Sequence, residues 1–181
     1  MFRTILLFLL RRPPLRFTDL GVISLRVLPT DIDFAGHMNN GFYLSVMDLG
    51  RVDLLRRSGV WSKIVRAGIS PVVANATITF RRSLTPWQRY TIETKMVGLD
   101  EKAVYCEQRM VVAGEIWAKS TQRVRFVKRS GGTASIAEVL EATGIETPTM
   151  TPAPWIDRWA ADVALPPARG VAPSEWLSLL D

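Results

Sequence analysis

The clearest periodic pattern in the chain is helical and covers residues 40–57. Apolar residues recur there at spacings of three and four, and further apolar residues flank that stripe. A helix that is apolar around so much of its circumference is typically buried. Its eighteen residues span about 27 Å, which is long enough to cross a whole sheet. Gly50 weakens the middle of this helix and therefore predicts a close approach to sheet backbone.

The second pattern has a period of two, which is typical of β-strands, and it follows a short helical stretch at residues 61–66. Turn residues such as Pro86, Gly98 and Gly114 separate the alternating segments from one another. The predicted strands cover residues 21–28, 76–80, 91–97, 104–112 and 116–127. This order predicts an α+β fold in which a curved five-stranded antiparallel sheet wraps round the long central helix, the last four strands forming a meander.

The N-terminal end of the chain is apolar and basic. Residues 4–10 are apolar and lie between arginines, but a bilayer span needs about 20 apolar residues, and no small-residue cleavage site follows. Two interpretations of residues 1–12 therefore stay open: a short helix packed on the fold, or an interfacial anchor for peripheral membrane contact. Both interpretations predict a cytoplasmic protein, and the second adds membrane association.

The C-terminal end, residues 145–181, is rich in proline and tryptophan. We expect it to pack on the domain through short helical turns at residues 155–161 and 173–180, because such large aromatic side chains are worth burying. A further helix is predicted at residues 135–142, with Ser135 as its cap. The chain is therefore divided into an N-terminal segment, residues 1–17, a domain, residues 18–144, and this C-terminal extension.

Composition and charge narrow the classes of partner. A chain of 181 residues is long enough for one self-sufficient core, and its ordinary apolar fraction excludes a disordered or coiled-coil protein. A single cysteine predicts a reducing compartment. Eighteen arginines and five lysines give a net charge of +6, which favours anionic partners. The interleaved exposed aromatics that nucleic-acid stacking needs are missing, so we expect no nucleic-acid partner.

The segment from residue 29 to residue 43 carries the candidate chemistry. It holds the only histidine together with two acids and two asparagines, at the start of the predicted buried helix. Unpaired N–H groups at a helix start suit a carbonyl oxygen that becomes an oxyanion, and a nearby acid can activate water or attack an acyl carbon. Turn formation and helix capping account for the same residue types. A metal site at Asp31, Asp33 and His37 lacks a further ligand, so we expect no metal.

This segment resembles the signature of the hotdog-fold acyl-CoA thioesterases of the 4-hydroxybenzoyl-CoA thioesterase type, over about residues 18–130. A second resemblance, to the thioesterase superfamily member six-like branch, rests on residues 80–84, on residues 100–102 and on Tyr105. The string that carries the first resemblance reads Asp31-x-Asp33-x-x-Gly36-His37-Met38-Asn39-Asn40-x-x-Tyr43, followed by Asp48-x-x-Arg51. The resemblance implies hydrolysis of an acyl-CoA thioester, with coenzyme A as part of the substrate and no separate cofactor.

The resemblance also implies roles for individual residues. Asp33 matches the general base or nucleophile, and Gly36 and His37 match the turn whose backbone amides polarise the thioester carbonyl. Asn40 completes the implied catalytic set, and Tyr43 matches a position that shapes the substrate pocket. Asp48 and Arg51 match a pair on the central helix, whose spacing allows an ion pair with a structural role or a role in the pocket.

Coenzyme A supplies the anion that the basic chain favours. Any of several arginines could meet its phosphates through charge-assisted bonds, and a solvated face of the sheet is the alternative for each of them. They end the second strand or lie on the last one, namely Arg81, Arg82, Arg123 and Arg125. The resemblance implies a homodimer or a dimer of dimers that places the acyl-CoA between protomers. The alternative function is a non-catalytic acyl-CoA or lipid-binding module at the membrane surface.

Overall fold

The computed structural model of the chain describes residues 12–146, 150–166 and 170–174. The expected N-terminal helix at residues 4–10 and most of the expected turn at residues 173–180 lie outside the described residues. The described elements, in chain order, are β1 (Gly21–Arg26), α1 (Asn40–Arg57), α2 (Val60–Arg66), β2 (Ile69–Phe80), β3 (Arg89–Leu99), β4 (Ala103–Val112), β5 (Glu115–Lys128), β6 (Thr133–Ala134), α3 (Ile136–Thr143) and α4 (Pro154–Asp162).

The strands form one antiparallel sheet in the order β1-β3-β4-β5-β2, with β6 paired to β5. The expected α+β architecture is confirmed, but two details of the prediction are wrong. The sheet has six strands rather than five, because β6 has only two residues and is too short to show an alternating pattern. The last four predicted strands are not a simple meander, since β2 lies beside β5 at the edge of the sheet and not beside β3.

Strand β2 is also longer than its pattern indicated. It begins at Ile69 rather than at residue 76. A bulge between Val73 and Asn75 breaks the alternation, and Pro71, a residue typical of strand edges, lies before the bulge. The free edge of this strand is therefore one border of the sheet.

Helix α1 has the predicted bounds and packs across one face of the sheet, the inner face. Its buried side chains join two apolar clusters, one around Tyr43 and Met47 and the other around Leu54 and Leu55. At Gly50 the helix touches the sheet, since a Cβ atom there would lie 2.5 Å from the Thr94 Oγ1 atom. The helix is therefore close to the sheet at this glycine, but the approach is to side chains of the sheet and not, as predicted, to its backbone.

The segment at residues 150–163 crosses the outer face of the sheet. Its Pro152 lies against Gly98, where an added Cβ would be 2.6 Å from the Pro152 Cβ. In α4, Ile156 and Ala160 pack on Tyr105 of β4. Helix α3 begins after the predicted cap, Ser135, whose side chain accepts a hydrogen bond from Glu138 N–H. Among the described residues, no helix is long and apolar enough to span a bilayer.

Candidate active site

The loop before α1 closes into a tight turn. Asp33 N–H donates to the His37 carbonyl, and Gly36 N–H donates back to the Asp33 carbonyl, each at 3.0 Å. Gly36 has a φ of 78°, a left-handed conformation that glycine adopts without a steric penalty. Phe34 at the tip of this turn is fully exposed. The turn therefore holds Asp33 and His37 side by side at the start of the helix.

The Asp33 carboxylate is mostly buried, with 18% of its side chain exposed. One oxygen, Oδ1, accepts a hydrogen bond from Ala35 N–H at 2.9 Å and lies 3.9 Å from His37 Nδ1. The other, Oδ2, lies 3.5 Å from Asn39 Nδ2. The carboxylate is thus fixed by the turn but still reachable, which is what a general base or a nucleophile needs.

Asn39 connects this carboxylate to the helix. Its Oδ1 atom caps α1 by accepting a hydrogen bond from Gly41 N–H at 2.9 Å, while its Nδ2 atom points to Asp33. Within the described residues, no hydrogen bond joins the N–H of His37 or of Asn40 to another group. Both amides therefore offer unpaired donors, Asn40 N–H at the positive end of the helix dipole and His37 N–H in the turn before it. Asn39 was not in the predicted catalytic set, although its position before an apolar helix is the sequence signal of a cap.

Tyr43 locks the loop to the neighbouring strand connection. Its hydroxyl accepts a hydrogen bond from Leu84 N–H at 3.2 Å, and its ring meets Phe80 edge-on at 4.9 Å. The pKa of Tyr43 is raised, mainly by burial and in part by the negative charge of Asp33. Tyr43 therefore stays neutral at physiological pH, lies within electrostatic reach of Asp33, and shapes the site by packing.

Arg51 lies in a buried polar layer between α1 and the sheet. Its guanidinium pairs with Asp48, as the spacing allowed, and donates to Gln108 Oε1 at 2.8 Å and to Gln122 Oε1. Gln108 Nε2 donates in turn to Thr94 Oγ1 and to a backbone carbonyl of α1, both at 2.8 Å. Burial lowers the pKa of Arg51 from its ordinary value. Only 11% of the Arg51 side chain is exposed, against 61% for Asp48, so Arg51 fastens the helix to the sheet while Asp48 faces outward.

A cavity of about 560 Å³ opens beside this layer. One face of α1, helix α2 and the first half of β2 surround it, together with inward side chains of the sheet. Asp48 and Arg51 contribute the charged part of its wall. Its apolar wall includes Phe17, Val52, Leu55, Val65, Val124 and Phe126. Alternation along the strands predicted the inward direction of the sheet residues, but it gave no sign of empty space between them and the helix.

Arg81 and Arg82 follow the end of β2. They precede Leu84, whose N–H donates to Tyr43 beside the loop of Asp33. Both guanidinium groups approach Glu115, with N···O distances of 3.0 Å, and both side chains are about half exposed. Arg82 also stacks over the ring of Trp117, 5.7 Å from its centroid. These two arginines share the end of the sheet that carries Asp33.

Arg123 and Arg125 do not reach this end. They alternate with inward residues of β5 and so lie on the outer face, where Arg123 approaches Asp100 at 3.4 Å in the connection between β3 and β4. That connection is at the opposite end of the sheet from the loop of Asp33. Within one protomer Arg123 and Arg125 therefore lie apart from Arg81 and Arg82, because alternation fixes the face of a residue and not the end of the sheet. Their role as phosphate partners stays a prediction.

Comparisons with known proteins bear on this site. A family model described as the Thioesterase-like superfamily matches residues 27–159. Protein THEM6 of Xenopus laevis is 45% identical over 85 residues, which cover 47% of this chain and 41% of that protein. The chain spans 41% to 64% of the length of the first curated relatives that it matches.

Two solved structures share the fold. The probable thioesterase YbaW from Escherichia coli is 21% identical, with a TM-score of 0.63, and the match covers 67% of this chain and 95% of that one. The BH1999 gentisyl-coenzyme A thioesterase is also 21% identical, with a TM-score of 0.60, and the match covers 66% of this chain and 98% of that one.

Proposed function

The chain belongs to the thioesterase-like superfamily and has the hotdog fold, and from this membership we propose that it hydrolyses an acyl-CoA thioester to a free acid and coenzyme A. The observation that supports the proposal most is the Asp33 carboxylate, held mostly buried beside two unpaired amides at the start of α1. An acid and a pair of backbone donors are the two groups that acyl transfer requires.

In the proposed reaction the thioester carbonyl oxygen accepts hydrogen bonds from His37 N–H and Asn40 N–H. Gly36 N–H is already bound to the Asp33 carbonyl, so the role of Gly36 is to make the turn. Asp33 takes a proton from water as the hydroxide oxygen adds to the acyl carbon, and the carbon–sulfur bond then breaks to release the thiolate, which is protonated to the thiol. In the nucleophilic alternative, the Asp33 carboxylate oxygen adds to the acyl carbon, and the carbon–sulfur bond breaks to release the thiolate. Water then hydrolyses the resulting acyl anhydride to the free acid and the Asp33 carboxylate.

We propose that a second copy of the chain completes the site. The free edge of β2 has unpaired backbone groups and partly exposed apolar side chains, among them Val72, Val73 and Phe80. A two-fold related pairing of these edges is antiparallel, so the Phe80 end of one strand lies beside the Ile69 half of its partner. Because Phe80 contacts Tyr43, the helix start of one protomer would face the cavity of the other.

Coenzyme A would extend from this site towards Arg81 and Arg82. Their exposed guanidinium groups offer charge-assisted hydrogen bonds to phosphate, in exchange for the exposed contact with Glu115. Exposed ion pairs of this kind contribute little stability, so replacing the contacts with Glu115 by contacts with phosphate costs little free energy.

The direct test compares the wild type with Asp33→Asn in a thiol-release assay across acyl-CoA substrates. We expect kcat to fall by about 10²- to 10⁴-fold, the usual contribution of a positioned acid or base. Asp157→Asn, an exposed position in α4, is the matched control and should leave kcat unchanged. Equal rates in the wild type and in Asp33→Asn would remove Asp33 from the mechanism.

The alternative function is a non-catalytic acyl-CoA or lipid-binding module, and the apolar cavity favours it as a second candidate because binding there does not need Asp33. It predicts micromolar binding of acyl-CoA to the wild type with no thiol release. Asp33→Asn would then bind as tightly as the wild type.

A further inference from the structure

The cavity beside α1 selects among acyl groups. From its lining and size we infer that the acyl group is an aliphatic chain of about ten to sixteen carbons rather than a hydroxylated aromatic acid, an inference that rests on the proposed function and names its substrate class. The chemistry of the cavity wall, the cavity volume and the route of entry support this inference.

The wall of the cavity offers almost no polar partner to a ligand. Beyond Asp48 and Arg51 it is lined mainly by hydrocarbon side chains, among them Leu55, Val124 and Phe126. Arg51 is already bound to Asp48, Gln108 and Gln122. A phenolic hydroxyl carried into this space would find few partners besides Ser70 and the Asp48 carboxylate, whereas methylene groups would gain contacts along the apolar wall.

The volume fits a long chain. At roughly 30 Å³ for each carbon, close to the share of one water in the liquid, a chain of ten to sixteen carbons takes about 300–480 Å³. The cavity measures about 560 Å³, so a sixteen-carbon chain would leave about 80 Å³ of it empty and a ten-carbon chain about 260 Å³. A single aromatic ring would leave most of it empty.

The route of entry also favours a chain. Asp48 stands eight residues after Asn40, which is about 12 Å along the helix, so the cavity does not begin at the helix start of its own protomer. In the paired arrangement the thioester lies at the partner's helix start, beside Val72 and Val73, which line the cavity. A linear acyl group can extend past these two valines into the cavity.

The test measures kcat/KM for straight-chain acyl-CoA substrates from two to eighteen carbons, together with benzoyl-CoA and dihydroxybenzoyl-CoA. Each buried methylene should raise kcat/KM by about fourfold until the cavity is full. The aromatic substrates should fall at least about 100-fold below the best aliphatic one. A flat dependence on chain length, or a preference for the aromatic acids, would overturn the inference while leaving the proposed hydrolysis intact.

Two substitutions narrow the cavity. Val65 lines it from α2 and is 47% exposed, so Val65→Trp can be accommodated without rebuilding the core, and Val52→Phe narrows it from α1. Both should lower kcat/KM for a fourteen-carbon substrate at least about 10-fold and change that for a four-carbon substrate less than about twofold. Val163→Trp, at a position 41% exposed on the C-terminal side of α4, is the matched control and should change neither value.

A binding measurement separates this inference from the proposed hydrolysis. A fluorescent undecanoic acid probe should bind the wild type, be displaced by myristate and not by benzoate, and bind Val65→Trp at least about 10-fold more weakly. If no thioester is hydrolysed but these results hold, the proposed function fails and the cavity assignment stands. If the probe does not bind, or binds Val65→Trp as well as the wild type, the assignment is wrong.

Discussion

A methyl group added at Gly50 tests how closely α1 approaches the sheet. In an exposed helix, replacing glycine by alanine raises stability by about 1 kcal/mol. Here the new Cβ would lie 2.5 Å from Thr94 Oγ1 and 3.0 Å from Gln108 Nε2, and these two atoms are hydrogen-bonded to each other. Overpacking costs about 1–3 kcal/mol and a displaced buried hydrogen bond a similar amount.

We therefore expect Gly50→Ala to lower the free energy of unfolding by about 2 kcal/mol, whereas helix propensity alone would raise it. The melting temperature should fall by about 4–8 °C for a chain of this size. Urea unfolding followed by circular dichroism and tryptophan fluorescence measures the change, at one fixed protein concentration because assembly would otherwise shift the midpoint.

The double mutant with Thr94→Ala localises the cause. Removing Oγ1 removes the nearest obstacle, so Gly50→Ala should cost at least about 1 kcal/mol less in the Thr94→Ala background than in the wild type. If Gly50→Ala is as stable as the wild type or more stable, the helix does not touch the sheet at this point and the reasoning is refuted.

Three further predictions concern the site and its supports. Asn39→Ala should destabilise the protein by about 1 kcal/mol through loss of the helix cap, and it should lower kcat because the contact with Asp33 is lost. Asn39→Asp keeps a capping oxygen and should restore stability but not kcat. An equal kcat in the wild type and both variants would show that Asn39 does not act on Asp33. Arg51→Met should lower the free energy of unfolding by about 1–3 kcal/mol, because Gln122 Oε1 loses its donor while Gln108 Oε1 keeps only the Gln122 side-chain amide. An unchanged urea midpoint would contradict this. Burial raises the pKa of Cys106 to about 12. This thiol should therefore not react with a disulfide reagent at pH 8 until urea unfolds the chain. Rapid reaction of the native protein would show that the core around Cys106 opens.

Local chemistry made the central helix predictable from the sequence. Asn39 supplies the cap, the apolar stripe is continuous, and Ser58 lies just past the last residue of the helix. Strand β2 was only half predicted because Pro71 and the bulge after Val73 interrupt the alternation. The order of strands could not be predicted, since alternation determines which face a residue occupies and carries no information about which strand lies beside it.

The site was likewise predictable only where its residues are neighbours in the sequence. Residues 31–43 are contiguous, so their motif was readable, and the family match over residues 27–159 confirms the resemblance that they carry. The polar layer joins Arg51 to side chains of three consecutive strands, and its two glutamine partners lie 57 and 71 residues further along the sequence. Its only signal was a polar residue at an inward position, such as Gln108 between Cys106 and Met110. The cavity has no sequence signal at all, because it arises from distances between elements.

The segment at residues 150–163 limits how copies of this chain can assemble. Pro152 lies on β3, Ile156 packs on β4, and the Val163 carbonyl accepts a hydrogen bond from Asn75 of β2, so the segment crosses the sheet from one side towards the other. Two sheets that stack face to face lie about 10 Å apart, which is also about the thickness of one helix. A dimer of dimers that stacked these outer faces would therefore have to accommodate this segment between its two sheets.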